Sequence, residues 1–182
     1  MPLSNSPSAL LRLTLLAALL AAGSAHADSY SEVNQLLRTG KSAQALEHAN
    51  AYLEKNGRDP QMRFLKAVAL TDSGKTDEAI AALRQLIEDY PELPEPYNNL
   101  AVIYAGQNQL DKARDALESA VRNNPGYGVA YENLGDIHLR LAYQAYDKAQ
   151  DLDSRKASVA PKLKLLRELL QPPAAKPAPS AP

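Results

Sequence analysis

Few side chains in this sequence could do chemistry, and their spacing favours binding over reaction. Three histidines and no cysteine occur in 182 residues. His48 and His138 have no Asp or Glu at a spacing that makes a metal motif, and both read as structural. Gly126 and Gly128 follow Pro125 with no preceding strand, so they do not form a phosphate loop. No serine sits on a nucleophile elbow. Carboxylates such as Glu88 and Asp89 read as solvated helix charges. The residues therefore imply no enzyme, no cofactor and no metal. Asn99 and Asn133 are different. They stand 34 residues apart, and a primary amide can pair with both the N–H and the C=O of an extended peptide. Alternatively they are solvated, or bond a neighbouring helix.

The spacing of 34 is general. Gly40, Gly74 and Asn108 keep it, as do Ala45, Ala79 and Ala113, and Pro91 and Pro125. Tyr97 and Leu100 lead to Tyr131 and Leu134 by the same step. Each unit reads as helix, turn, helix. Asp59-Pro60 marks a helix start, with Asp as cap and Pro at the first position. Ser42 and Thr76 are expected caps, and Gly40, Gly57 and Gly74 suit left-handed positions past helix ends. Leu83, Leu86 and Ile87, and likewise Leu100, Ile103 and Tyr104, recur at helical spacing. Nothing alternates with period two.

On these residues the sequence resembles the tetratricopeptide repeat family, over about 29–153. The third unit matches best, with Tyr97, Leu100, Ala101 and Tyr104 on its first helix and Ala113, Leu117, Ala120 and Pro125 on and after its second. The second unit departs at Arg63 and Lys66, and the first has a short, polar opening helix. The resemblance implies an all-α solenoid of helical hairpins. Ala67, Ala101 and Gly135 are expected where paired helices approach closely. Tyr97, Tyr104 and Tyr131 are expected in the core rather than in a cofactor site. In the family the inner face comes mainly from the first helix of each unit. Here that face carries Phe64, Leu65 and Val68, then Asn98, Asn99 and Val102, then Glu132, Asn133, Asp136 and Arg140. Asparagine at the Asn99 and Asn133 position often holds ligand backbone in the family. The lysine clamp that some members use for a C-terminal carboxylate is missing from these positions.

The fourth unit is abbreviated. Tyr97 to Tyr131 is 34, but Leu117 to Tyr146 and Ala120 to Ala149 are each 29. The five missing residues fall at the turn, where only "LAYQ" remains, and all four tolerate helix. Tyr131, Leu134, His138, Leu141, Ala145, Ala149 and Leu152 follow one helical face. One continuous helix over about 131–152 is expected, the rival being a kink at Ala142–Gln144. Three repeats, this long helix and a C-terminal capping helix make up the expected fold. Tyr143, Tyr146, Leu163, Leu166 and Leu170 form a surface that either caps the array or joins two copies.

The domains expected are a leader at 1–27, a repeat array at 28–153, a cap at 154–170 and a Pro/Ala-rich disordered tail at 171–182. Arg12 is the sole charge in 1–27, and Leu13–Ala22 is too short an apolar run to span a bilayer. Ala25 and Ala27 fit a cleavage site, so a secreted, periplasmic chain is expected, the alternative being an uncleaved anchor. Setting Arg12 aside leaves 19 basic against 21 acidic residues. That balance gives no nucleic-acid footprint. Five prolines among residues 171–182 keep that stretch from being helical. The function expected is an exported adaptor that holds a protein or peptide partner on its inner helix face. A homodimer built through the long helix and the C-terminal helix is the second reading, and no stable membrane insertion is expected after cleavage.

Overall fold

A computed structural model describes residues 28–153 and 157–171. The expected leader, residues 154–156 and residues 172–182 lie outside the described residues. Helix α1 covers 28–38. It is followed by α2 Ser42–Leu53, α3 Pro60–Asp72, α4 Thr76–Asp89, α5 Pro94–Gly106, α6 Leu110–Asn123, α7 Gly128–Leu152 and α8 Ala160–Leu169. Among the described residues there is no strand, and no helix is long and apolar enough to cross a membrane. The chain divides after Pro91 into two compact units, α1–α4 and α5–α8.

Three turns share one construction. Gly40, Gly74 and Asn108 have φ of 71°, 73° and 56°. At each, the following amide reaches back to the last turn of the preceding helix: Lys41 N–H to Leu36 C=O at 2.9 Å, Lys75 to Leu70 at 2.9 Å, Gln109 to Tyr104 at 2.9 Å. A residue with positive φ closes the helix and satisfies its last carbonyls. The residue after it at once caps the next helix through its carbonyl, as when Lys41 accepts from Ala45 at 3.0 Å. This corrects two expectations. Ser42 and Thr76 are first helical residues, and the caps are Lys41 and Lys75, without side-chain bonds. Gly57 lies outside the left-handed region. Asp59 does cap α3, accepting from the Met62 amide at 3.1 Å, with Pro60 at the first position.

In the first unit, Val33, Ala45, Ala49, Met62, Leu65 and Ala69 form one buried cluster shared by α1, α2 and α3. Ala67 and Ala79 are fully buried as α3 packs on α4. In the second unit α5 packs on α6, α6 on α7 and α7 on α8, with a smaller contact between α5 and α7. Ala101, Tyr104, Ala113, Leu117 and Ala120 fill the α5–α6 core.

α7 is one helix of 25 residues, about 37 Å long. It begins three residues before the expected start at 131 and stays helical through Ala142–Gln144. The residue 34 beyond Asn108 is Ala142. An alanine at positive φ costs about 1–2 kcal/mol, and the five residues that would complete the turn are missing, so the helix continues. The buried side of α7 is not the expected apolar stripe. Ala130 and Ile137 are buried, whereas Tyr131 is 50% exposed. Gly135, His138, Ala145 and Leu152 are also exposed. Gly135 has open space where a Cβ would stand. Both the core role of Tyr131 and the close approach at Gly135 required a second helix folded back on that face, and α8, which returns along α7, packs on another.

Candidate functional site

α5 and α7 both contribute to one cavity in the C-terminal unit, with Val102 and Asp136 at equivalent repeat positions. Its volume is about 500 Å³. Ala101, Val102 and Ala105 of α5, Leu117 of α6 and Ile137 of α7 give it an apolar floor. Asn133, Asp136 and Arg140 supply polar groups from successive turns of α7. Leu169, Leu170 and Gln171 close it from the end of α8. Val102, an apolar residue, is 52% exposed there. Arg140 is steadied by its guanidinium, which donates to Asn108 Oδ1 in the α5–α6 turn at 3.3 Å.

The asparagines act partly on one another. Asn133 Nδ2 donates to Asn98 Oδ1 at 2.8 Å, joining α7 to α5. Asn98 Nδ2 in turn reaches Asn99 Oδ1 at 3.5 Å. Asn98 is only 5% exposed, so it is a buried strut and offers a ligand little surface. Asn133 is half-buried, and it both makes this bond and lines the cavity. Asn99 is half-buried and Glu132 exposed, and neither lines the cavity. Phe64 and Val68 are half-buried on α3 of the first unit.

Of the expected inner-face residues, Val102, Asn133, Asp136 and Arg140 therefore converge. Sequence reasoning missed Ala105 and Ile137, although each lies one turn from a residue it named. It also missed that Leu169, Leu170 and Gln171 reach this cavity, since nothing in the sequence shows how α8 docks. The other C-terminal residues meet within the chain. Arg167 donates to the Tyr143 hydroxyl at 3.0 Å, and Lys162 sits 4.8 Å from the Tyr146 ring centre. Leu163 and Leu166 are buried. That hydrogen bond raises the Arg167 pKa further.

A second polar cluster lies in the first unit. Asp59 accepts from Tyr30 and from Tyr52 at 2.9 Å, besides capping α3. Burial works to raise the Asp59 carboxyl, but the bonds from Tyr30, the Met62 amide and Tyr52 together hold it below its ordinary value. Burial and the carboxylate beside it push the Tyr30 phenol well up. This cluster ties α1 and α2 to the start of α3 and presents no reactive group.

Two family models described as tetratricopeptide repeat match residues 30–94 and 70–135. The TPR repeat-containing protein YvcD of Bacillus subtilis is 32% identical over 102 residues, covering 54% of this chain and 20% of that protein. The chloroplastic tetratricopeptide repeat domain-containing protein PYG7 of Arabidopsis thaliana is 32% identical over 92 residues, covering 48% and 31%. The chain thus spans a third or less of these relatives. Among solved structures, the TPR protein YrrB, described as having an unusual peptide-binding site, is 25% identical with a TM-score of 0.53, covering 57% of this chain and 54% of YrrB. The thermophilic TPR protein TTC0263 of Thermus thermophilus is 20% identical with a TM-score of 0.59, covering 79% and 81%, and shares the fold. With the two models together spanning 30–135, more than half of its length, the chain belongs to the tetratricopeptide repeat family.

Proposed function

We propose that this chain is an exported adaptor of the cell envelope that holds an extended segment of a protein partner in the α5–α7–α8 cavity. The observation that carries the reading is the cavity itself. An apolar floor beneath Val102 and Ile137 meets a polar edge of Asn133, Asp136 and Arg140. Such a site takes an apolar side chain as anchor while fixed polar groups orient the backbone beside it. The Asn133 carbonyl oxygen suits a peptide N–H, and Asp136 and Arg140 would discriminate by charge. The likeness to YrrB supports a peptide as the ligand class. The leader expected at 1–27 supports export.

A peptide array probed with purified 28–182 tests the binding. Peptides with one large apolar residue flanked by polar ones should be retained. Val102→Arg, which fills the cavity from an exposed position, should weaken them at least about tenfold, or 1.4 kcal/mol. Retention equal for Val102→Arg and the parent chain would remove the cavity from the account. Mass spectrometry of the chain from the envelope fraction tests export, since the expected N-terminus is Asp28.

A further inference from the structure

The N-terminal half of α7 carries the face that a tetratricopeptide first helix presents to its own second helix, and in this chain that face is bare. The third unit supplies the comparison. Ala101 is 1% exposed and Tyr104 is 6% exposed, both covered as α5 packs on α6. Their counterparts 34 residues on are Gly135 and His138, and both are exposed. Tyr131, the counterpart of Tyr97, is 50% exposed.

The matching second-helix residues are present, but on the wrong end of the same rod. Ala142, Tyr146 and Ala149 repeat the spacing of Ala113, Leu117 and Ala120. α7 runs unbroken through them, so they cannot reach Gly135 of their own chain. They can reach Gly135 of another. The open stripe at Tyr131, Gly135, His138, Ala145 and Leu152 carries no Asp, Glu, Lys or Arg. α8 borders it on the Tyr146 side, through Lys162, and leaves Ala145 exposed.

We propose that a second copy of this chain covers this face. Two α7 helices pack antiparallel about a two-fold axis, and each lends the other the second helix its fourth unit lacks. A self-complementary patch of this kind closes as a symmetric dimer, and the small residues at 135, 142 and 149 let the helices approach closely. The register follows from the repeat. The α5–α6 hairpin is centred on residue 108, between Gly106 and Leu110. The front half of α7 is displaced from α5 by 34 and its back half from α6 by 29. The centre of the pair then falls at about residue 140. Gly135 of one copy faces Ala145 of the other, and Tyr131 faces Ala149. The cavity lies on another side of α7, so the dimer and the peptide reading stand or fall separately.

The chain has no cysteine, which makes the test clean. In the variant Gly135→Cys/Ala145→Cys, the two thiols of one chain lie about 15 Å apart along α7, beyond the reach of a disulfide. Across the dimer they face each other. Under mild oxidation the double variant should run as a covalent dimer. Each single variant should not, because like positions are also about 15 Å apart across the two-fold. Light scattering of the unmodified chain at about 100 µM should give twice the chain mass. Tyr131→Asp, a change at an exposed position, should return it to a monomer with unchanged helical circular dichroism. A monomer in the parent chain, or single variants that cross-link as readily as the double, would overturn the proposal.

Discussion

Asp59 gathers three hydrogen bonds where α1, α2 and α3 meet. It caps α3 and accepts from two tyrosine hydroxyls on α1 and α2. Replacing it with alanine removes the cap, at about 1 kcal/mol, and leaves two hydroxyls short of an acceptor, at about 1 kcal/mol more. Asp59→Ala should therefore lose about 2 kcal/mol in urea denaturation, and Asp59→Asn, which still caps, distinctly less. The same cluster sets pH limits. The lowered Asp59 carboxyl contributes stability that is present above its unfolded value of about 3.9 and lost as pH falls through the folded value. The raised Tyr30 phenol contributes stability that is present below about pH 10 and lost above it. Stability should fall at both ends, and Asp59→Asn should flatten the acid side. The cap at Asp59 was legible, because Asp-Pro is a local signal. The tyrosine partners were not, because Tyr30 lies 29 residues away and only the folded α1 delivers it.

At the scale of the element, α7 follows from what stands at four equivalent positions: Gly40, Gly74, Asn108 and Ala142. The first three adopt positive φ and end a helix; the fourth lies inside one. Inserting a copy of residues 107–111, Gln-Asn-Gln-Leu-Asp, after Arg140 restores both the length and the left-handed residue. The inserted chain should fold back at that point. Spin labels at 131 and 149, in labelled chain diluted with unlabelled, should lie about 27 Å apart in the parent and near the spacing of packed helices, about 10 Å, in the insertion variant. An unchanged long distance would show that the turn does not decide the helix. The continuous helix was readable because a repeat makes five absent residues countable. Which side of it is buried was not. The repeat register presumed a covering helix, so it placed Tyr131 and Gly135 inside, and their exposure is the direct consequence of the lost turn.

At the scale of the whole molecule, the two units of helical hairpins each carry a cavity, of about 510 Å³ between α1 and α2 in the first and about 500 Å³ in the second, with different linings. In the first, α1–α4 are tied by Asp59 and by the Arg63–Asp89 ion pair at 2.7 Å. In the second, the helices line an open-sided cavity, one wall of which is the chain's own C-terminal helix. The family and its hairpins were legible from the period of 34 together with the residues that recur at it, such as Gly40, Gly74 and Asn108 and Ala45, Ala79 and Ala113. Part of the cavity's lining was legible too, in Val102, Asn133, Asp136 and Arg140, because the first helices of the repeats were expected to turn one face inward. The wall from Leu169 to Gln171 was not, because it depends on how α8 packs along α7. The central claim is that a partner is held in this cavity, and site-specific photocrosslinking in cells tests it most directly. A benzophenone side chain placed at Val102 should give one dominant adduct, whose mapped peptide contains a large apolar residue and which is lost in the Asn133→Ala/Arg140→Ala background. The same probe at Asp77, exposed on α4, should give no such adduct. Equal adducts at Val102 and Asp77, or none at Val102, would contradict the account.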